Sequence, residues 1–565
     1  MIVCLMLCVA LMPAAAYADN AKTTPAEPPG IWTDHAAAAF AGGSGTAEDP
    51  YQIATPQQMA KLAKDINAGK YDEVYNGDHF KLMTDIDLSA HRWIPIGRGI
   101  RSLNRTVFTG YFDGNEKVIK GLYVDESEDH FSAGLFGFVR GYEIKDLTIE
   151  DGYVKTVSNQ GCTEGAGILV GAAQSGSGIR PNIKNCFVSG IVESSDAETG
   201  GLVGDSHEGT YEDCTADVEI RGAYSAGGFV GEDRTGIYRN CTAKGNVSGT
   251  LHVGGFAGHM EYKSNLDHCF AQGKVTASDT GAGGFAGYLE YATVVNNCVA
   301  VGDIKSTFQG DDPNVGGFAG EVDARYDDVT VSNSHAAGKV TSAKTDYKPG
   351  GFVGGFYGFS ITYTHFNACS YDVEKNLGIE AIGGETSADV DGVDAVSSQV
   401  VKDKICKDYY GKHIVKEVAE KPATCTEDGQ KAYWKCENCG RLFADEKGSQ
   451  QIEKPAVIPA TGHNFGEWKV TKEATATEKG EKERVCARCQ FVEKAEIPAI
   501  GTSGTTDPAK ETQDNADKSA ETGDDSNAAL YGILALLAAG GAAGMLYRKR
   551  RAWGCCWNKI TGEKS

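Results

Sequence analysis

The chain has 565 residues, and 54 basic against 77 acidic side chains give it a formal net charge of −23. Nucleic acid is excluded as a partner, because binding to phosphate backbones requires a basic surface. Glycine contributes 72 residues, proline 15, and 41% of all residues are hydrophobic. These proportions exclude collagen and wholesale disorder, and the length allows about three or four folded domains.

The first 18 residues have the pattern of an export signal. An apolar run from Ile2 to Met12 is followed by Ala16-Tyr17-Ala18, which has the small-x-small form of a signal peptidase cleavage site. We therefore expect residues 1–18 to be removed and the rest of the chain to be exported.

Residues 43–125 are predicted to form an N-terminal cap of mixed α and β structure. A helical stretch, Pro56–Ile66, precedes two segments rich in β-branched and aromatic residues, Phe80–Gly97 and Phe108–Val124. This module leads directly into the repeats that dominate the middle of the chain.

A glycine-rich pentapeptide, most often Gly-Gly-Phe-Val-Gly or Gly-Gly-Phe-Ala-Gly, recurs at intervals of 27 to 34 residues. Its eight copies end at Gly137, Gly171, Gly204, Gly231, Gly258, Gly287, Gly320 and Gly354. A near-constant period of this length is typical of architectures in which each repeat stacks on its neighbour.

A second motif lies between these copies and reads NCTAKGNV in one of them. The six copies begin at Asn185, Asp213, Asn240, His268, Asn297 and Asn333. Cys241 and Ala243 alternate with Thr242 and Lys244, and this period of two indicates a half-buried strand. No helical pattern of ten or more residues fits between copies. We therefore predict a mainly β fold, with a parallel β-helix over residues 126–390.

The Gly-Gly-Phe copies resemble the GLUG motif of bacterial surface proteins, some of which are large IgA peptidases. The cap segments Phe80–Gly97 and Phe108–Val124 resemble the region that opens right-handed β-helix domains of adhesin-like proteins. The resemblance covers roughly residues 43–375 and implies a right-handed parallel β-helix in a cell-surface setting, without implying a ligand. It carries no peptidase activity to this chain, because Tyr211 stands where the second histidine of HExxH would follow His207-Glu208.

Five cysteines occupy one position of the second motif, and Ser334 takes that position in the next copy. They are Cys186, Cys214, Cys241, Cys269 and Cys298. Because a free cysteine behaves as a small hydrophobic residue, we expect a stack of buried and mostly reduced thiols.

Two short cysteine-containing modules follow the repeats, at residues 405–461 and 462–500. In the first, His413, Cys425, Cys436 and Cys439 could form a tetrahedral zinc site, since a CxxC pair is a common half-site. The second has Ala476 where the first has Cys425, so its set is incomplete. Disulfides remain an alternative to zinc because the chain is exported. Either a zinc ion or disulfides would stabilise these modules, which are too small to form a large hydrophobic core.

The C-terminal region has the pattern of an anchor. Residues 501–527 are acidic and lack large apolar residues, which predicts a disordered stalk. Residues 528–547 carry no charge and are long enough to span a membrane, and the basic cluster in 548–565 predicts a cytoplasmic tail. The Thr522-Gly523 pair before the span resembles a sortase sorting signal, with Ser519 and Ala520 in place of the family's Leu and Pro. The resemblance implies cleavage between Thr522 and Gly523 and attachment to peptidoglycan.

These features predict an exported, surface-anchored, non-catalytic protein that binds host or microbial glycans or proteins, as an adhesin does. Two alternatives stay open: a polysaccharide lyase or hydrolase on the same scaffold, and a purely structural wall protein. An enzyme needs converging acid and base groups, and no such set stands out in the sequence. Two or three carboxylates clustered on one sheet face would support the enzyme, and scattered carboxylates would oppose it.

Overall fold

The computed structural model describes residues 22–69, 74–98, 106–127, 131–157, 163–195, 197–222, 224–384 and 390–501. The predicted export signal, Thr522, Gly523, the span 528–547 and the tail 548–565 lie outside these ranges. Within them, no helix is both long enough and apolar enough to cross a membrane. The chain divides into two units, and the first comprises residues up to Val418 together with Tyr433–Glu453. The second comprises Ala419–Ala432 and the residues from Lys454 onward.

The first unit is built around a parallel sheet of 25 strands. Those strands are Tyr51–Ile53, His79–Leu82, Ile86–Asp87, Tyr111–Lys120, Tyr123–Asp125, Glu143–Thr156, Asn182–Lys184, Phe187–Ser194, Thr210–Glu212, Thr215–Arg221, Ile237–Arg239, Thr242–Ala243, Val247–Gly249, Asn265–Asp267, Phe270–Ala271, Val275–Ala277, Val294–Asn296, Val299–Ala300, Ile304–Ser306, Val329–Ser332, His335–Ala336, Val340–Ser342, Thr364–Asn367, Cys369–Asp372 and Val393–Val396.

Two further parallel sheets complete the coils. The larger, which we call the glycine ladder, comprises Phe136–Arg140, Val170–Gln174, Val203–His207, Val230–Arg234, Ala257–Glu261, Ala286–Glu290, Ala319–Asp323 and Val353–Phe356. The smaller comprises Thr163–Ala166, Ala197–Gly200, Ala226–Gly227, Val253–Gly254, Ala282–Gly283 and Val315–Gly316. Strands pair with the equivalent residues one repeat later, as Val230 does with Ala257 and Ala257 with Ala286. The prediction of a mainly β, parallel β solenoid is confirmed.

The Gly-Gly-Phe motif supplies the sharp corner that precedes each glycine-ladder strand. At Gly254 a Cβ would lie 2.0 Å from the carbonyl oxygen of Ala257 and 2.6 Å from the amide nitrogen of Gly287 in the next coil. The phenylalanines point into the core and stack on one another with ring centroids 4.9 to 5.0 Å apart. This stack contains Phe229, Phe256, Phe285, Phe318 and Phe352.

The second motif forms another corner of each coil. Its first residue adopts a left-handed backbone conformation, with φ between 47° and 56° in the six copies, which asparagine and aspartate tolerate better than most residues. The Asn240 side chain donates a hydrogen bond to Asp213 of the preceding coil at 3.1 Å. The cysteine that follows turns inward, and all five cysteines are buried as free thiols beside Ser334. The predicted stack of small buried residues is confirmed.

Helices are few. Pro56–Ala68 begins at Thr55, whose side chain accepts a hydrogen bond from the Gln58 amide, and it buries Met59, Leu62 and Ile66 against the cap strands. Ser398–Lys404 begins at Ser397 and continues as a π-helical turn over Ile405–Tyr409. Two 3₁₀ turns span Trp32–His35 and Ser360–Tyr363.

The end of the first unit is a small antiparallel sheet of Val415–Val418, Tyr433–Cys436, Leu442–Phe443 and Gln451–Ile452. The second unit is also antiparallel. In it, Gly429–Gln430 pairs with Val457–Ile458, and Lys469–Lys472, Gly480–Val485 and Val492–Ile497 form a three-stranded sheet. Residues 419–432, which lie in the first predicted cysteine module, thus belong to the same unit as the second.

Candidate functional site

One side of the glycine ladder carries charged side chains in register. In Ala257–Glu261, Met260 packs in the core, so the period of two directs His259 and Glu261 to the opposite side. Neighbouring strands place Glu232 next to His259 and Arg234 next to Glu261. We call this surface the acidic face, and it comprises Asp205, Glu232, Arg234, His259, Glu261, Glu290, Glu321 and Asp323.

His259 lies at the centre of the acidic face. Its Nε2 donates a hydrogen bond to Glu290 Oε2 at 2.8 Å, and the same nitrogen lies 3.7 Å from Glu261 Oε1. Its Nδ1 lies 3.9 Å from Glu232 Oε2. Burial alone would lower the pKa of His259, but the three carboxylates outweigh it and raise the pKa to about 9. The ring is therefore charged at neutral pH.

Two further residues, Arg234 and Glu198, affect the charges around His259. Arg234 contacts Glu232 Oε1 at 2.7 Å and Glu261 Oε2 at 2.6 Å, so two of the carboxylates are each shared between Arg234 and His259. Burial, with the nearby charges of Glu232 and Asp205, raises the pKa of Glu198 to about 8. Ion-paired carboxylates of the acidic face thus lie near a carboxyl, that of Glu198, which holds its proton at neutral pH.

The charge on His259 makes the stability of the solenoid depend on pH. Since its pKa is raised in the folded state, the stabilisation is complete below pH 6.5 and is lost as the pH rises through about 9. The groups facing the ring are Glu232, Glu261 and Glu290, the neighbouring His252 and the Tyr288 ring. We expect the free energy of unfolding to fall by about 3 kcal/mol between pH 6.5 and pH 9.5.

Urea unfolding followed by intrinsic fluorescence at several pH values measures this dependence. The His259→Gln variant is the control, because glutamine keeps a side-chain N–H donor but cannot titrate. It should be less stable than the wild type at pH 6.5 and should show a much flatter dependence up to pH 9.5. An unchanged dependence in this variant would show that another group is responsible.

Tyrosines continue the acidic face where the strands end. The rings of Tyr262 and Tyr291 lie 5.4 Å apart, and those of Tyr291 and Tyr326 lie 5.0 Å apart, on three successive coils. Tyr262 and Tyr326 are 53% and 76% exposed, while Tyr291 is buried between them. We call these three residues the tyrosine ridge. Beside it, the Arg325 guanidinium lies 3.8 Å from the centre of the Tyr357 ring and pairs with the buried carboxylate of Asp323.

Two clusters of three cysteines and one histidine lie after the repeats, one in each unit. The first-unit cluster, which we call centre 1, comprises Cys406, His413, Cys436 and Cys439. Centre 2, in the second unit, comprises Cys425, His463, Cys486 and Cys489. Within each cluster all potential ligand atoms lie within 4.8 Å of one another, so both could hold a metal ion.

Three of the four ligands predicted for the first module are thus brought together, and Cys425 is not among them. Its place is taken by Cys406, which the π-helical turn after Ser398–Lys404 points towards the CxxC pair. Cys425 instead lies beside His463, because the Thr461 amide donates a 2.9 Å hydrogen bond to the carbonyl of Thr424. The set predicted to be incomplete, because Ala476 replaces a cysteine, is complete through Cys425.

The distances fit tetrahedral coordination. Zn–S bonds of about 2.3 Å at a tetrahedral angle place two sulfurs about 3.8 Å apart. Cys406 and Cys436 are separated by 3.8 Å, as are Cys425 and Cys486. The Sγ-to-Nδ1 distance is 3.4 Å for Cys439 and His413 and 3.3 Å for Cys489 and His463. All these cysteines are free thiols in the structure.

In each cluster the surroundings lower the pKa of one thiol, which favours the thiolate that binds metal, whereas the pKa values of Cys406 and Cys439 in centre 1 and of Cys425 in centre 2 are raised. The neighbouring thiols of Cys406 and Cys439 hold the pKa of Cys436 well below its usual range. Burial alone would raise the pKa of Cys486, but the amide of Cys489 and the His463 side chain, among others, lower it to about 5.

Sequence reasoning missed the acidic face and the exchange of ligands between the cysteine modules. A count could have revealed the exchange, because residues 401–500 contain six cysteines and two histidines, which is two complete sets of three and one. The acidic face gave no such signal, since its members differ in type from coil to coil and only the register brings them together.

Comparisons with known proteins show limited similarity. No family model matches the chain. A protein of Evansella cellulosilytica named "Putative Gly-rich membrane protein" is 33% identical over 142 residues, which is 24% of this chain and 14% of that protein. A crystal structure of a "putative immunoglobulin A1 protease" from Bacteroides ovatus has a TM-score of 0.38 and 20% identity, covering 56% of this chain and 86% of that one. This chain therefore matches only a small part of the length of its curated relative.

Proposed function

We propose that the chain is an exported, non-catalytic protein displayed on the cell surface, and that its solenoid binds glycans. The tyrosine ridge beside the acidic face is the observation that supports this proposal most directly. Two exposed aromatic rings, Tyr262 and Tyr326, that flank a buried third ring favour a contact surface, since large apolar side chains are otherwise mostly buried. The solenoid holds that row at a fixed spacing.

The chemistry of the surface suits a polyhydroxylated ligand. Tyr262 and Tyr326 offer flat apolar faces on which the C–H faces of sugar rings can pack, while their hydroxyls remain available for hydrogen bonds. Glu261 can accept hydrogen bonds from sugar hydroxyls, and Arg325 can donate them. A few directional polar groups beside aromatic surface are the usual composition of a ligand site. The negative charge of the face also opposes binding of acidic polysaccharides.

Truncating the ridge should weaken glycan binding at least tenfold. In the double variant Tyr262→Ala/Tyr326→Ala, two exposed aromatic contacts of about 1 kcal/mol each are removed. Binding of cells that produce the full chain to a printed array of host and bacterial glycans measures the loss. Tyr224→Ala is the matched control, because Tyr224 is 47% exposed and lies outside the ridge. Equal binding by the ridge variant and the wild type would contradict the proposal.

Surface display rests on the predicted export signal and anchor, and the name of the Evansella relative as a membrane protein is consistent with it. Sortase and peptidoglycan are the proposed partners through Thr522 and Gly523. Fractionation tests this: wild type should require a muralytic enzyme for release, whereas Thr522→Ala should be released by detergent. Thr512→Ala, in the same stalk, should behave as wild type. Release of the wild type by detergent alone would contradict wall attachment and would favour a membrane anchor.

A carbohydrate-active enzyme is the second candidate, because carboxylates do cluster on one sheet face. Glu261 and Glu290 have oxygens within 4.8 Å of each other and of a nitrogen of His259, and retaining glycosidases place two carboxyl groups about 5 Å apart. The carboxylates are nevertheless held in ion pairs with His259 and Arg234, so neither is free to act as a nucleophile or an acid. Product formation that Glu290→Gln abolishes would establish the enzyme.

We also propose zinc in centre 1, with a structural role. Centre 1 has four protein ligands, as structural zinc sites do, whereas a catalytic site leaves one position open. The sheet around it buries Phe443 and the cysteines and little else. Zinc would therefore supply much of the folding free energy of this segment. Metal analysis of purified wild type and Cys436→Ser tests the proposal, which predicts the loss of one zinc ion per chain in the variant.

A further inference from the structure

We infer that the second unit carries its own zinc ion, bound by Cys425, His463, Cys486 and Cys489. The ligands come from two segments of the second unit that are separated in the sequence by Tyr433–Glu453. The second module itself supplies three ligands, and Cys425 from the first module supplies the fourth.

The backbone around each CxxC pair is built alike in the two centres. In centre 1 the amide of Cys436 donates to the carbonyl of Arg441 at 2.8 Å, and the amide of Gly440 donates to the carbonyl of Cys436 at 2.9 Å. In centre 2 the amide of Cys486 donates to Phe491 at 2.8 Å, and that of Gln490 to Cys486 at 2.9 Å.

The residue after each CxxC pair adopts the same left-handed conformation in both turns. Its φ is 75° at Gly440 and 61° at Gln490. Gln490 is a non-glycine residue in a conformation that favours glycine, so the tight turn around the second CxxC pair is maintained at a cost in backbone strain. Metal ligation by Cys486 and Cys489 would explain why this turn is kept despite the strain.

The fourth ligand is held in place independently of the CxxC turn. The carbonyl of Thr424 accepts the Thr461 amide at 2.9 Å, and Asp428 accepts the Ala460 amide at 2.7 Å. Arg488, between the two cysteines of the pair, donates to the carbonyl of Thr461 at 3.0 Å. These contacts bring the turn that contains Cys425 to the CxxC pair, with Cys425 Sγ 3.8 Å from Cys486 Sγ.

The same turn recurs one module later and explains Ala476. The amide of Thr475 donates to Glu478 at 2.9 Å and the carbonyl of Thr475 accepts the Ile500 amide at 2.9 Å, matching Thr424 with Glu427 and Thr461. A cysteine at 476 would serve a further module beginning near residue 500. Residues 501–554 contain neither cysteine nor histidine and so offer no such ligands to a further centre, which leaves no requirement for a cysteine at position 476.

The second unit needs this metal because it has almost no core. Among its described residues, the buried hydrophobic side chains are those of Cys425 and Cys486, and both belong to the site. A unit of this size without an apolar core requires a metal or disulfides to fold. The 3.8 Å separation of the two sulfurs is far longer than a disulfide bond and equals the edge of a tetrahedral zinc site.

Metal stoichiometry of the purified full chain tests the inference. We expect two zinc ions per chain in wild type, one in Cys425→Ser and one in Cys436→Ser, and none in the double variant Cys425→Ser/Cys436→Ser. If Cys425 and Cys436 served one common site, the double variant would lose no more zinc than either single variant. That result, or one zinc in wild type retained by Cys425→Ser, would overturn the inference.

A second measurement separates loss of the site from general misfolding. Limited proteolysis of Cys425→Ser should cut within residues 454–501 while leaving the solenoid intact, and Thr426→Ala, next to the ligand and exposed, should behave as wild type. One zinc ion in wild type that is lost in Cys425→Ser and kept in Cys436→Ser would contradict zinc in centre 1 instead, so failures of the two metal proposals are distinguishable. Wild type whose Cys486 and Cys489 resist alkylation without bound metal would show a disulfide and overturn the inference.

Discussion

Replacing Gly254 by alanine should destabilise the solenoid by at least about 3 kcal/mol. The new Cβ would lie 2.0 Å from the Ala257 carbonyl oxygen, 2.6 Å from the Gly287 amide nitrogen and 2.8 Å from Ala286 Cα. All three are backbone atoms of the same coil or the next, so no side chain can move to make room. Relief would require the parallel hydrogen bonds between coils to break. Urea unfolding followed by fluorescence measures the loss.

Gly178→Ala is the matched control for this prediction. Gly178 also lies in the first unit, and nothing lies within 4 Å of a Cβ added there, although its φ of 80° disfavours alanine. Its cost should therefore be limited to the backbone term of about 1–2 kcal/mol. Similar losses in the two variants would show that the backbone conformation, and not the close approach of coils, determines the requirement for glycine.

Truncating Phe285 to alanine should cost about 3–5 kcal/mol. The ring is fully buried and stacks on Phe256 at 5.0 Å and on Phe318 at 4.9 Å, with planes within 1° and 5° of parallel. Alanine would leave a cavity in the middle of the stack, and the neighbouring rings cannot close it because their positions are fixed by the spacing of the coils. The same unfolding experiment measures this effect.

Phe359→Ala provides the comparison for the stack, since Phe359 is 85% exposed and should change stability by less than about 0.5 kcal/mol. Phe285→Leu should fall between the two. A cost for Phe285→Ala close to that for Phe359→Ala would show that the phenylalanine stack does not hold the coils together.

The solenoid could be predicted from the sequence because the same steric requirement recurs in every coil. The corner glycines, the stacked phenylalanines and the left-handed residue before each cysteine repeat at one period, and a parallel sheet follows from that period. The alternation of Cys241 and Ala243 with polar neighbours was enough to place the cysteines in the core.

The acidic face could not be predicted in this way. Glu232, His259 and Tyr288 occupy one register position on successive coils but share no chemistry, so no motif marks them. The tyrosine ridge is hidden for another reason. Tyr262 and Tyr291 directly follow the last residue of their strands, whereas Tyr326 follows Asp323 after two more residues.

The cysteine modules show a limit of aligning repeats with each other. Alignment of the two modules correctly paired the CxxC sequences and the histidines, but it assumed that each module supplies all its own ligands. That assumption is wrong, because the hydrogen bond between Thr461 and Thr424 holds Cys425 next to His463 of the second module. Cys406, seven residues before His413, then fills the position in centre 1.

Retention of a glycan without its conversion tests the central proposal most directly. Cells producing the wild-type full chain would be incubated with the array glycans that they bind, and the supernatant would be followed for new reducing ends and for unsaturated sugar products. We expect glycans to be retained unchanged by wild type and released by the Tyr262→Ala/Tyr326→Ala variant. Cleavage of the bound glycan by wild type, lost in Glu290→Gln, would contradict the proposal and identify the acidic face as an active site.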